Sequence, residues 1–101
     1  MISIYITCKN KKEARKIGFS LIKKRLAACF ITFPIESVYW WQGKITQNKE
    51  TVLVVKTLKK NFKKIEKEVK RLHSYTVPCI LEIPISRGSK DFLEWLKKEI
   101  K

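Results

Sequence analysis

The stretch FITFPIESVYWWQGKITQNKETVLVVKT, from Phe30 to Thr57, decides the fold. β-Branched and aromatic side chains, which suit a pleated, half-buried surface, fill it almost from end to end. Two features interrupt it. Pro34 has no N–H to offer a ladder, so it marks an edge strand or a bulge. Gln42-Gly43 sits between Trp41 and Lys44, where a glycine supplies the positive φ of a tight hairpin turn. The stretch therefore reads as two antiparallel strands, roughly 29–41 and 44–57. At ~3.3 Å per residue each arm approaches ~40 Å, whereas a compact chain of this length has a radius of gyration near ~13 Å. The arms outreach the body that carries them.

Upstream, ISIYITC alternates with period two and predicts a strand with Ile2, Ile4, Ile6 and Cys8 on one face. Asn10 offers an N-cap, and the spacing predicts a helix from Lys11 to Ala28. Ala14, Ile17, Gly18, Leu21 and Ile22 fall on one arc of it, with Lys12, Lys16, Ser20, Lys23 and Lys24 on the other. Downstream of the hairpin, Phe62, Ile65, Val69 and Leu72 form the buried stripe of a helix over 59–72. After a connector, Pro78 opens a last strand in which Cys79, Leu81, Ile83 and Ile85 alternate with Ile80, Glu82 and Pro84. Ser89 is placed to cap a closing helix that carries Phe92, Leu93, Trp95, Leu96 and Ile100.

The order β-α-β-β-α-β-α is an α+β, ferredoxin-like βαββαβ pattern with a long hairpin and an added C-terminal helix. Right-handed crossovers put the two long helices on one face of a four-stranded sheet. The length suits one domain spanning 1–101. Val38, Tyr39, Trp40 and Trp41 run consecutively near the hairpin tip, so aromatic rings point to both faces. Long apolar ribbons need cover, and a further copy of the chain is the expected cover, with Tyr39, Trp40 and Trp41 in the oligomer interface.

Taken in order, Cys8, Ala27-Ala28-Cys29, Tyr39-Trp40-Trp41-Gln42-Gly43-Lys44-Ile45, Lys56-Thr57, His73-Ser74-Tyr75, Val77-Pro78 and Phe92-Leu93-Glu94-Trp95-Leu96 resemble the CutA family, the divalent-cation tolerance proteins. The resemblance spans essentially the whole chain. It implies a homotrimer of ferredoxin-like subunits whose hairpins pair with neighbouring chains, and copper or divalent-metal binding at a cysteine and adjacent histidines. The family pattern often has two histidines at the connector, where this chain has Leu72-His73.

Topology adds its own placement. Cys8 ends the first strand, His73 ends the second long helix and Cys79 starts the last strand, so all three gather at one end of the sheet. Thiolate and imidazole suit copper or zinc, which makes Cys8, His73 and Cys79 the candidate metal ligands. Cys29 starts its strand at the opposite end and reads as structural.

The charge is +14, from 23 basic and 9 acidic residues. Arginine occurs only at 15, 25, 71 and 87, so the fork that reads phosphates and bases is scarce. The lysines read as solvating helix faces. An RNA-recognition module shares the βαββαβ order, but Glu50 to Lys56 holds no aromatic where that module stacks bases, so no specific nucleic-acid partner is expected. No nucleophile–base set or phosphate loop points to an enzyme. A trimeric small-molecule sensor of the PII signalling type is the other reading, with Lys44, Lys56 and Arg87 as candidate anion contacts. Three cysteines without a CxxC pair, no long apolar run and no signal-peptide pattern at MISIYITCKN set the expectation of a cytoplasmic protein with no membrane partner.

Overall fold

The computed structural model describes all 101 residues. The elements are β1 (Ile2–Cys8), α1 (Lys11–Lys23), β2 (Cys29–Trp41), β3 (Lys44–Thr57), a 3-10 turn (Lys59–Asn61), α2 (Phe62–Leu72), β4 (Ile80–Pro84) and α3 (Lys90–Glu99). The sheet order is β2-β3-β1-β4, antiparallel throughout, which is the ferredoxin-like arrangement. β3 and β1 take the two central places, and both turn apolar side chains to the helix-covered face. Ile4 and Ile6 are fully buried and sit opposite Val55 and Leu53 of β3. Ile17 and Leu21 of α1 and Ile65 and Val69 of α2 close over that face. Full burial of such side chains stabilises the fold by about 1.5–3 kcal/mol each.

Pro34 falls on the edge strand β2, where its missing N–H faces no neighbour, and the register from Cys29↔Lys56 to Trp41↔Lys44 runs without a bulge. The turn itself uses left-handed backbone at both Gln42 (φ 51°) and Gly43 (φ 77°), the combination a two-residue hairpin requires. The ribbon stretches the molecule to 45 × 25 × 21 Å. Trp40 and Ile45 face each other across it and are 72% and 62% exposed, while Tyr39 and Trp41 on the other face are also exposed. Both faces of the tip are apolar and open.

Two boundaries differ from the spacing. α1 stops at Lys23 rather than continuing to Ala28, because Arg25 takes a left-handed conformation (φ 59°) and the Leu26 N–H turns back to the Leu21 carbonyl. The Leu26 carbonyl then accepts from the Thr57 hydroxyl at 2.6 Å and the Asn61 amide at 3.1 Å, tying this turn to the start of the second helical segment. That segment opens as a 3-10 turn, and α2 proper begins at Phe62. α3 is anchored where the Arg25 guanidinium reaches the Glu99 carboxylate at 2.9 Å and Leu96 is buried.

Gly18 is the residue that lets α1 approach the sheet. A Cβ built there would lie 2.8 Å from three ring atoms of Phe30. Gly18→Ala therefore lowers unfolding free energy by about 1–2 kcal/mol, because overpacking outweighs the helix propensity gained. A urea titration checks this, and a neutral or stabilised variant contradicts it.

Candidate metal centre

Cys8 points into the core side of the sheet from the last residue of β1 and is fully buried. Two residues later Asn10 caps α1, its side chain accepting from the Glu13 N–H at 2.9 Å. Asn10 and Glu13 have the spacing of a capping box, in which the carboxylate reaches back to the chain ahead of the helix. Here Glu13 turns inward. Its Oε1 accepts from the Lys9 N–H and its Oε2 from the Ser74 N–H, each at 2.9 Å. The second contact joins the start of α1 to the connector after α2.

His73 completes the group. It follows the last turn of α2, where its N–H closes on the Val69 carbonyl. Its Nε2 lies 2.8 Å from the Thr7 carbonyl and its Nδ1 accepts from the Tyr75 N–H at 3.0 Å. A carbonyl can only accept and an N–H can only donate, so the ring is held as the Nε2–H tautomer. Nδ1 also faces Glu13 Oε1 at 3.9 Å. Ligand atoms of Cys8, Glu13 and His73 all lie within 4.8 Å of one another. Bonds of roughly 2.0–2.3 Å to a shared ion would draw such atoms together by about an ångström.

Burial first, and then the negative charges of Glu13 and Glu50, push the Cys8 thiol up to about 12. It is a protonated thiol at neutral pH. Burial works to raise Glu13 as well, but its hydrogen bonds from Ser74 and Lys9 prevail and hold the carboxyl below the usual range. The donor set is thus a thiol, a neutral imidazole and a carboxylate, which fits a soft or borderline cation once the thiol gives up its proton.

A cleft of about 520 Å³ opens on the other side of the sheet, between the ribbon and the connector. Thr7, Glu50, Tyr75, Val77 and Cys79 line it, with Tyr39 and Trp41 from the ribbon. Glu50 is buried, and its carboxylate accepts from the Tyr75 hydroxyl at 2.6 Å and from the Ser37 hydroxyl. Burial and this bond push the Tyr75 hydroxyl well above its ordinary value.

The family model described as CutA1 divalent ion tolerance protein matches residues 2–99. The chain belongs to this family. The divalent-cation tolerance protein CutA of Archaeoglobus fulgidus is 47% identical over 97 residues, covering 96% of this chain and 95% of the relative. A solved structure described as the periplasmic divalent cation tolerance protein CutA from that organism superposes with a TM-score of 0.97 at 46% identity, covering all of both chains. The rice protein described as CutA 1, chloroplastic, is 40% identical over 97 residues, 95% of this chain and 55% of the relative. The family is described by ion tolerance, not by a reaction. Those descriptions place CutA proteins in different compartments, so membership does not fix a cytoplasmic one. No helix of this CutA chain is long and apolar enough to cross a membrane.

Of the residues singled out in the sequence, the fold brings Cys8 and His73 together and leaves Cys79 out of the group. Ile80 pairs with Ile6 and packs on the core, so the preceding Cys79 falls in the opposite phase and faces the cleft. Cys79 shares the end of the sheet with Cys8 but not the side. Cys29 is half-buried at the other end. Glu13 was absent from the sequence reading, although the Asn10–Glu13 spacing was the signal for it. Glu50 carried no local signal, since its partners lie 13 and 25 residues away. Lys44 and Lys56 stand at opposite ends of β3 and do not converge within one chain.

An unfolded Cys8 ionises near 9.0, while the folded thiol holds its proton to about 12. Its contribution to stability is complete below the first value and lost as pH rises toward the second. The urea midpoint should therefore fall more steeply above about pH 9 in the native protein than in Cys8→Ala. Parallel slopes contradict the burial.

Proposed function

We propose that this CutA protein is a homotrimer that binds copper, or a similar divalent metal, in the cell's response to metal ions. One observation carries the metal part: Cys8, Glu13 and His73 present a sulfur, an oxygen and a nitrogen within 4.8 Å of one another. Cys8 and His73 are the ligands, and Glu13 is the carboxylate beside them. The ion takes the Cys8 sulfur as thiolate and the His73 Nδ1 lone pair, displacing the Tyr75 N–H. Binding therefore releases a proton and strengthens as pH rises. The exposed, two-faced ribbon supports the trimer, in which Tyr39, Trp40 and Trp41 meet neighbouring chains. Three free cysteines accord with a reducing compartment such as the cytoplasm.

The cleft around Glu50 favours a second reading, a PII-like sensor of a small molecule at the subunit boundary. Its one buried charge is negative, which suits a cationic ligand better than an anionic one.

Isothermal titration of the reduced protein with copper tests the first reading. The native chain should give a saturable, proton-releasing isotherm of one ion per subunit, and the Cys8→Ala/His73→Ala double variant should lose it. Equal heats from the two proteins end the proposal.

A further inference from the structure

The two helices and their flanks, residues 9–25 and 59–71, hold fifteen of the 23 basic residues and three of the nine acidic ones, twelve of the net +14. All fifteen cations are exposed. Two of the three carboxylates are not: Glu13 is turned into the cluster with Cys8 and His73, and Glu68 is buried between Ser20, Lys24 and Arg71. Only Glu66 answers the surface, beside Lys63 and Lys70. Lys11, Lys12, Lys16, Lys23, Lys59, Lys60, Lys64 and Lys67 make no ion pair. Lysines four apart within a helix, such as 12 and 16 in α1 or 63 and 67 in α2, stand one above the other and repel. The outward layer is a sheet of uncompensated charge on the side of the molecule away from the cleft.

We infer that this outer face of α1 and α2 docks on the phosphodiester backbone of nucleic acid without reading its sequence. The partner must be a dense polyanion, since only counterion release on many phosphates matches so many unpaired lysines. A lipid surface fits less well, because it holds helices by inserting their apolar side, and here that side is spent on the sheet. Phe19, 43% exposed, is the one large apolar group on the layer. It is held edge-on to Phe30 at 5.4 Å with Arg15 over its ring at 5.2 Å. Base readout is excluded by the same inventory. Arg25 and Arg71 are tied to Glu99 and Glu68, Arg15 lies over the Phe19 ring, and that single ring, packed edge-on against Phe30, makes no row of aromatics on which bases could stack. Contact is charge to phosphate alone.

The probe is a short fluorescein-labelled DNA duplex of arbitrary sequence, read by anisotropy over a salt series with the full chain. Binding should weaken by about 10³-fold or more between roughly 50 and 200 mM salt, and should not depend on the sequence chosen. Lys12→Gln/Lys16→Gln/Lys64→Gln/Lys67→Gln should make the log–log salt slope shallower by about 3–4. The control, Lys90→Gln/Lys97→Gln/Lys98→Gln/Lys101→Gln, has the same net charge and should leave the slope close to native. Circular dichroism confirms that both variants are folded. Absence of binding at low salt, or equal losses in the two variants, overturns the inference. Stronger binding to phosphatidylserine vesicles that depends on the same four lysines also overturns it, by assigning the face to a membrane.

Discussion

An antiparallel ribbon exposes two faces and two edges, and a body of this size can cover only the half that lies within it. β2 and β3 bury their inner halves against β1 and the helices, where Phe30, Leu53 and Val55 meet the core. Beyond Glu50 the ribbon runs past the body with only the open cleft beside the connector along it, and its Val38, Tyr39, Trp40, Trp41 and Ile45 are exposed. Such a surface is costly in water and offers a template for unwanted strand pairing. In the proposed trimer, a second and third copy of the same ribbon would satisfy it without new chemistry, and a closed symmetric assembly would leave no edge for further growth. In that assembly the cleft, lined partly by Tyr39 and Trp41, would lie where subunits meet.

The candidate metal centre depends on a different economy. Glu13 and His73 hold three chain segments together, the end of β1 at the Thr7 carbonyl, the start of α1 at Lys9 and Asn10, and the connector at Ser74 and Tyr75. No buried side-chain nitrogen or oxygen is left without a partner, so the latch holds without an ion. An ion that enters must compete with the Tyr75 N–H and expel the thiol proton. Ion binding at this proposed centre would therefore depend on both pH and redox state, because only a reduced Cys8 can supply the sulfur.

Much of the fold was legible in local pattern. Period two at Ile2–Cys8 named the central strand, and Gln42-Gly43 fixed the hairpin register through its turn geometry. The end of α1 was not legible, because Leu26, Ala27 and Ala28 continue the apolar spacing and no glycine announces the left-handed turn that Arg25 makes. The meeting of Cys8 with His73 followed from topology alone. Which side of the sheet Cys79 takes did not, since that depends on the pairing phase of β4 against β1. Charge was misleading at Glu13 and Glu68, where lysine-rich helices turn their few carboxylates inward. Polar side chains at such positions look solvent-facing until their partners, 48 and 61 residues away in sequence, are known.

The ribbon is too long for one subunit to cover, so the protein's assembly state is the most direct measure of the account. Native mass spectrometry of the reduced protein, followed through serial dilution, reads that state. The account predicts a species of three chains that persists as the concentration falls. A monodisperse, soluble single chain with an unchanged folded spectrum would contradict it.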